Sequence, residues 1–340
     1  MATNKRLIKS NDEGGGAASF NTVVYSGNQV TGTQITNVGF QPDFVWIKDR
    51  GDGTHWHNLF DSVRGASERL FSNTTSAESF YNESLQSFDN DGFTVGLDPD
   101  VNRSGTDNMV AWCWKAGGSA VTNTDGTITS QVSANTEAGF SVVSYTGNGI
   151  PNSNVGHGLG LTPKIIITKL RSDISTWLVT GTIIGLDNWL FLDQTNAIQN
   201  ASGYIPLPTN NVISLGSPTT PSTNSLNYSY IAYCFAEVAG FSKFGSYTGV
   251  SSGVTINVGF EPAFVMVKSS SNAESWVIVD NKRTSPAALF PNGSDAEYNS
   301  SPFSFTFTST GFSFPDQAIA DSMLNQNGYE YIYMAFANQF

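Results

Sequence analysis

Two loops gather the side chains best suited to chemistry. The segment "DRGDGTHWH", from Asp49 to His57, brings together Asp49, Asp52, His55 and His57. Histidines at i and i+2 on a strand share a face and bind zinc-like metals. No third ligand follows at a fixed spacing, so a polar loop at a domain edge is the preferred reading. The segment "DPDVNRSGTD" sets oxygens at Asp98, Asp100, Asn102, Ser104 and Asp107. Alternating oxygen ligands around a glycine suit a hard cation, and calcium would take Asp98, Asp100, Asn102 and Asp107. The closing bidentate glutamate of a helix–loop–helix site is missing, and Asx turns give the same pattern without metal. Glycoside hydrolysis requires two carboxylates about 5 to 10 Å apart. Glu68, Glu78, Glu83 and Asp91 show no spacing that pairs them. Cys113 and Cys234 have no histidine at an equivalent place, which argues against a catalytic thiol. These residues name no catalytic role.

Aromatic residues are the better binding candidates, because they recur. Tyr25, Tyr145 and Tyr247 each precede a glycine by two residues. Fourteen residues after Pro42, Pro163 and Pro262 stand Trp56, Trp177 and Trp276, and six residues after them Lys48, Lys169 and Lys268. Sugars stack on such rings and hydrogen-bond to the abundant Asn, Asp and Ser. Tyr25, Tyr145, Tyr247, Trp56 and Trp276 are therefore the candidate ligand contacts, the tyrosines half exposed and the tryptophans weighted toward the core. Each lysine is expected to end a strand at the solvent boundary and snorkel.

The elements that must position these groups are written in the same repeat. "MVAWCWKA", "YIAYCFAE" and "YIYMAFAN" close the three copies, from Met109, Tyr230 and Tyr331. In the first, Val110, Trp112 and Trp114 alternate with Ala111 and Cys113, so both faces are apolar and the strand is central. Cys113 and Cys234 align with Ala335, which marks a small core position rather than a disulfide. The first and third copies share Asp-x-x-Arg (Asp61/Arg64 and Asp280/Arg283), expected to be a salt bridge that fixes a loop; the middle copy lacks it. Turn residues recur every eight to twelve positions. Many short strands with such punctuation predict an all-β chain of three tandem antiparallel β-sandwich, jelly-roll-like domains. The boundaries read as an N-terminal arm at 1–19, repeats at 20–118, 139–239 and 240–340, and a β-hairpin connector at 119–138 around Asp125-Gly126. A rigid rod or arc is the expected shape. Only Thr75 to Leu85 suggests a short helix.

Composition narrows the function classes. The 340 residues carry a formal net charge of −12, so a phosphate backbone is repelled and nucleic acid is an unsuitable partner. Charged residues are 13 % of the chain, about half the roughly 25 % usual in soluble domains. No apolar run approaches a membrane span, and "MATNKRLIKSNDEGGG" is no Sec signal, which implies synthesis in a cytoplasm without membrane insertion.

Long phrases, among them "GFQPDFVWIK", "VNRSGTDNMVAWCWKAGG", "AYCFAEVAGFSKFGSYTG" and "YIYMAFANQF", resemble a family of repeated-domain virion and tail structural proteins of tailed phages, of the marine and cyanobacterial type. The resemblance runs from Leu7 to the C-terminus. It implies a non-enzymatic virion protein, made in the host cytoplasm and located in the virion. A tail fibre or appendage contacting host-surface glycan is the first expectation, with a capsid decoration protein and a host-glycan depolymerase as alternatives. It also implies attachment to other virion proteins through the N-terminal arm, and assembly as a homo-oligomer, with a trimer expected. No catalytic residue is carried over, and no cofactor beyond the calcium candidate.

Overall fold

A computed structural model gives the structure of the chain and describes residues 18–216, 223–283, 287–299, 304–315 and 322–338. Most of the N-terminal arm, residues 1–17, lies outside the described residues. The first repeat forms β1 (Phe20–Tyr25), β2 (Thr33–Ile35), β3 (Phe44–Asp49), β4 (Asn58–Asp61) and β5 (Glu68–Phe71). It continues with β6 (Ser79–Phe80), β7 (Leu85–Asp89), β8 (Gly92–Val95), the one-turn helix α1 (Pro99–Asn102) and β9 (Met109–Trp114). These make one antiparallel sheet, β1-β9-β3-β4-β5-β6, and a smaller one, β2-β8-β7.

The hairpin β10 (Val121–Asn123) and β11 (Ser130–Asn135) precedes β12 (Phe140–Thr146), β13 (Asn154–Gly156), β14 (Ile165–Leu170) and β15 (Trp177–Thr180). Then come β16 (Asn188–Phe191), β17 (Gln199–Asn200), β18 (Val212–Ser214) and β19 (Ser229–Phe235). The main sheet runs β10-β11-β12-β19-β14-β15-β16-β17, with β13-β18 apart from it. The predicted hairpin forms, but it is no free-standing connector, because β11 pairs along β12 from Ser130 to Asn135 and extends that sheet.

The third repeat supplies β20 (Ser242–Thr248), β21 (Val254–Asn257), β22 (Pro262–Ser269), β23 (Val277–Asp280), β24 (Thr306–Thr308) and β25 (Gly311–Phe314). The turn α2 (Ser322–Asn325) and β26 (Glu330–Ala337) finish it, in sheets β20-β26-β22-β23 and β21-β25-β24. The chain is thus all-β, with several antiparallel sheets. No described helix is long and apolar enough to cross a membrane.

The closing strands β9, β19 and β26 are central, as their two apolar faces require, and those faces go to different cores. Val45, Ile47, Ala111 and Cys113 pack inside the first repeat, and the second and third repeats hold clusters of their own. The opposite faces bring Phe44, Trp46, Trp112 and Trp114 together with Ile167, Tyr233, Phe264, Met266 and Phe336 in one cluster shared by all three repeats. A rod or arc is therefore not what forms. Large aromatic side chains stabilise by about 1.5–3 kcal/mol each when buried, and in a rod these faces would stay wet.

The closure is cyclic. Glu78 N–H donates to the Arg171 carbonyl, Ile198 N–H to Ser270, and Glu297 N–H to Arg50, each at 2.8 Å. Each bond crosses from one repeat to the next, and the third returns to the first. The indoles follow the same rule: Trp177 Nε1 donates to the Phe71 carbonyl and Trp276 Nε1 to Phe191, both at 2.8 Å. The Glu78 bond also explains why Thr75 to Leu85 is not a helix. Docking on the neighbouring repeat draws the segment into extended chain, and Ser79–Phe80 pairs with β5 instead.

Candidate functional site

Strand register corrects the tryptophan alignment. Lys169 lies opposite Trp177, whereas Ile47 lies opposite Asn58, which sets Lys48 against His57. The first repeat has one extra residue in this loop, so His57, not Trp56, is the counterpart of Trp177 and Trp276. His57 is fully buried and accepts from Trp46 Nε1 at 2.9 Å through Nδ1. Its Nε2 lies near the Phe290 carbonyl but outside ordinary hydrogen-bond geometry. Burial, then the Lys48 and Arg283 charges, hold its pKa well below the usual value, so it is neutral. His55 sits apart, bonded through Nδ1 to Asp100 at 2.7 Å. The two histidines therefore bond different partners, His57 with Trp46 and His55 with Asp100.

The inserted residue pushes Trp56 outward, where it is 41 % exposed. Its ring packs on Phe71 with centroids 4.7 Å apart. The Arg69 guanidinium lies between Phe71 and Tyr81, at 5.2 and 4.8 Å from their ring centroids. Arg69 is held from below by Asp98, at 2.9 Å, and by the Ser79 hydroxyl, at 3.1 Å. Phe80, 68 % exposed, and Tyr81, 36 % exposed, extend the platform. Flat rings interleaved with an arginine suit stacking on a planar or pyranose face, with the guanidinium adding donors. Trp56 was nominated by sequence; Arg69, Phe80 and Tyr81 were not. Their signal was that "SFYN" stands where the second repeat has "QNAS".

The other candidate aromatics are tied into the fold, with Tyr247 half-buried as expected. Trp276 is buried. Tyr25, Tyr145 and Tyr247 donate to the carbonyls of Val101, Thr223 and Leu324 at 2.6, 2.8 and 2.6 Å. Tyr25 and Tyr145 are buried rather than half exposed, because each hydroxyl ties down the chain just ahead of a closing strand. The residues that follow those carbonyls, Asn102, Asn224 and Asn325, are wholly buried, and each accepts a turn N–H at 2.9 Å.

The calcium candidates part company for the same reason. Asp98 caps α1 by accepting from Asp100 N–H at 3.1 Å, with Pro99 starting the turn, which makes the segment a helix rather than a ligand loop. Asp100 goes to His55, the Asn102 amide bonds the Gly96 carbonyl at 2.7 Å, and Asp107 accepts from Ser26 Oγ at 3.3 Å. Among the described residues no group of three or more His, Cys, Asp or Glu side chains is placed to hold a metal. Both cysteines are free and buried.

The lysines of the repeated phrase also depart from expectation. Lys48, Lys169 and Lys268 are fully buried at the seams and do not snorkel. Lys48 Nζ donates to the carbonyls of Asp49 and Asp52, Lys268 to those of Ser269 and Asn272, and Lys169 to Ser175 and, across the seam, Thr75. Loop carbonyls turned inward provide the solvation that water would. Burial pushes each pKa down to about 8 from lysine's 10.5. Between those values the unfolded chain holds more protons than the folded one, so stability rises with pH. Above the ordinary thiol value of 9.0 burial of Cys113 and Cys234 opposes this rise, and above the ordinary tyrosine value of 10.0 the sign reverses, because burial holds Tyr25, Tyr145 and Tyr233 protonated only in the folded state as well. The melting temperature should therefore climb from about pH 8, flatten above 9.0 and turn over by 10.0. A steady fall from pH 8 upward would rule out the buried-lysine account.

Two seams hold ionic networks. Between the first and second repeats, Arg64 bonds Asp61 at 2.5 Å and Glu78 at 2.8 Å; Arg171 bonds Glu78 at 2.7 Å, and the Tyr233 hydroxyl donates to Asp61 at 2.8 Å. Between the third and first, Arg283 bonds Asp280 and Glu297 at 2.7 and 3.1 Å, Arg50 bonds Glu297 at 2.6 Å, and Trp112 Nε1 donates to Asp280 at 3.0 Å. Burial opposes the Arg64 charge, but Asp61 and Glu78 more than offset it and raise its pKa. Glu78 and Glu297 are held below the usual range by their arginines despite burial. Register sets Gly181, Ile184, Ile198, Ser270 and Met334 at the matching places of the remaining seam. The expected Asp-x-x-Arg salt bridges exist, and their reach across the seams was not legible.

The family model for a domain of unknown function, DUF7483, matches residues 16–339. The chain belongs to the DUF7483 family. Searches of curated proteins and of solved structures found no match. One family model thus spans all three repeats of this DUF7483 chain, in keeping with their common core. The aromatic platform lies within the matched region.

Proposed function

We propose that the chain is a non-enzymatic structural protein of a tailed-phage virion, a tail-fibre or appendage component that contacts host-surface glycan through Trp56, Arg69, Phe80 and Tyr81. On this reading each repeat is a two-sheet β-sandwich around its own core, and the shared core fuses the three into a stiff head. The N-terminal arm attaches the head to other virion proteins, and the particle carries it as an oligomer. The observation that supports the reading best is the exposed aromatic–arginine platform of Trp56, Arg69, Phe80 and Tyr81. Rigid aromatic anchors around an arginine are typical energetic centres of recognition surfaces.

The test is binding of purified protein to host envelope polysaccharide. Trp56→Ala and Tyr81→Ala should each weaken binding about tenfold, or about 1.4 kcal/mol, with the melting temperature unchanged. Unaltered binding would remove the platform from the account. Steady release of reducing sugar, abolished by one Asp or Glu substitution, would make the protein a depolymerase. A map of the intact particle with the platform pressed against the capsid shell would make it a decoration protein.

A further inference from the structure

Strand register sets Arg69 level with Trp189 in the second repeat and Ala288 in the third. Both of those residues are buried, Trp189 against the Tyr204 ring with centroids 4.9 Å apart. Of the three places only the first holds a cation, and its counter-charge is built in. The Asp98 side chain is 4 % exposed and accepts from Arg69 Nη1 at 2.9 Å, while Nε donates to the Ser79 hydroxyl at 3.1 Å. A carboxylate or sulfate is gripped by two guanidinium nitrogens in parallel. Both such pairs, Nε with Nη2 and Nη1 with Nη2, have one nitrogen already donating, and Nη2 is the one left without a partner among the described residues. The surroundings are acidic as well. Glu68 stands opposite the exposed Phe80 in the pairing of β5 with β6, and the Glu83 carboxylate accepts from the Leu97 N–H, one residue before Asp98, at 3.2 Å. The whole chain carries −12. An anion brought against such a surface meets like charge, which costs affinity. A cation fares no better, because the Phe71 and Tyr81 rings that would attract it already flank Arg69.

We propose that the platform takes an uncharged glycan, with the carbon face of a neutral pyranose on the exposed Trp56 and Tyr81 rings and a sugar oxygen accepting from Arg69 Nη2, and that Asp98 sets this preference by cancelling the guanidinium charge. The inference rests on the glycan-contact reading above and adds which glycans qualify. Neutral sugars are held by flat apolar contact and by hydrogen bonds that bring no net charge. An arginine fixed between two rings, with its charge balanced and one nitrogen free, orients a hydroxyl rather than neutralising an acid. The preference is thereby assigned to a single residue. Asp98→Asn removes the charge and keeps the turn, because asparagine caps a helix start as well as aspartate does.

The test is retention of the full-length protein on a panel of neutral hexose and N-acetylhexosamine chains, uronate- and sulfate-bearing chains, and free-amine chains. Neutral chains should retain it at least about tenfold better than either charged class, and raising sodium chloride from about 50 to about 500 mM should leave that retention in place. Asp98→Asn should raise the ratio of acidic to neutral binding at least about tenfold, and the added binding should fade with salt. Arg69→Gln, which leaves the cap untouched, should weaken neutral binding; unchanged neutral binding would overturn the Nη2 contact. Should Asp98→Asn fail to fold, the unaltered protein and Arg69→Gln decide. A preference of the unaltered protein for acidic or amine-bearing chains, lost in Trp56→Ala, would overturn the neutral class while keeping the glycan contact. An Asp98→Asn variant that melts like its parent and keeps its selectivity would overturn the role of Asp98. Retention by no class, or retention indifferent to Trp56→Ala and Tyr81→Ala, would remove the glycan contact itself and this inference with it.

Discussion

Arg64→Ala is expected to lower stability by about 3–5 kcal/mol, the usual result when one partner leaves a buried ion pair. The guanidinium and the Asp61 carboxylate both have fully buried side chains. Its removal strands the Asp61 charge, and it also takes donors from the Leu59 and Glu68 carbonyls, bonded at 2.9 and 2.8 Å. Arg283→Ala should behave alike, because Arg283 bonds Asp280, Glu297 and the Ile278 carbonyl in the matching places. The chain itself contains the control. At the seam between the second and third repeats the same five positions are Gly181, Ile184, Ile198, Ser270 and Met334, and Ile184 and Met334 join the shared core. Grafting that set onto the first seam, as Asp61→Gly, Arg64→Ile, Glu78→Ile, Arg171→Ser and Tyr233→Met, should cost less than Arg64→Ala alone. Charges and their partners leave together, so no buried charge is stranded. Denaturant midpoints of the single and fivefold variants decide the matter. If the fivefold variant is the less stable, the ionic network contributes more than an apolar seam would, and the equivalence of the seams fails as an energetic argument.

What could be read from the sequence followed from local rules, and what could not depended on contacts between repeats. The alternation in "VAWCWK" is a local property of a strand, and it gave the central place of β9 and the interchange of Cys113, Cys234 and Ala335. It showed that both faces of the strand are covered. It carried no information about what covers the second face, so three separate bodies and one ring around a common core were equally consistent with it. Lys48 departs from the snorkelling expectation because a lysine ending a strand usually finds water; here the carbonyls of Asp49 and Asp52 replace it, an arrangement set by loop conformation. Trp56 falls out of alignment because "HWH" places a tryptophan one residue before the core position, so constant spacing conceals an insertion. Asp98, Asp100, Asn102 and Asp107 have a composition that fits both a cation loop and a capped turn; in the structure Asp98 caps the turn while Asp100 bonds His55. Arg69 and Tyr81 become neighbours only because β6 folds back on β5, a pairing held by the dock of Glu78 on the second repeat.

Trp114→Ala should destabilise all three repeats at once. The Trp114 ring lies within 6.5 Å, centroid to centroid, of Phe20 and Phe44 in the first repeat, Phe140 and Phe235 in the second, and Phe264 and Phe336 in the third. Deleting a buried Trp costs about 3–5 kcal/mol through lost transfer free energy and the cavity left behind. Were the repeats independent, only the first would feel it. Calorimetry of the unaltered chain would then show separate transitions, with one of them moved in the variant. A common core requires the opposite: one transition whose calorimetric and van't Hoff enthalpies agree, displaced as a whole in Trp114→Ala. The same logic applies to a separated third repeat, residues 240–340, which would expose Phe264, Met266 and Phe336 to water and should not fold cooperatively. A cooperative melt of that fragment near the temperature of the whole chain would show that the shared core joins bodies already stable without it.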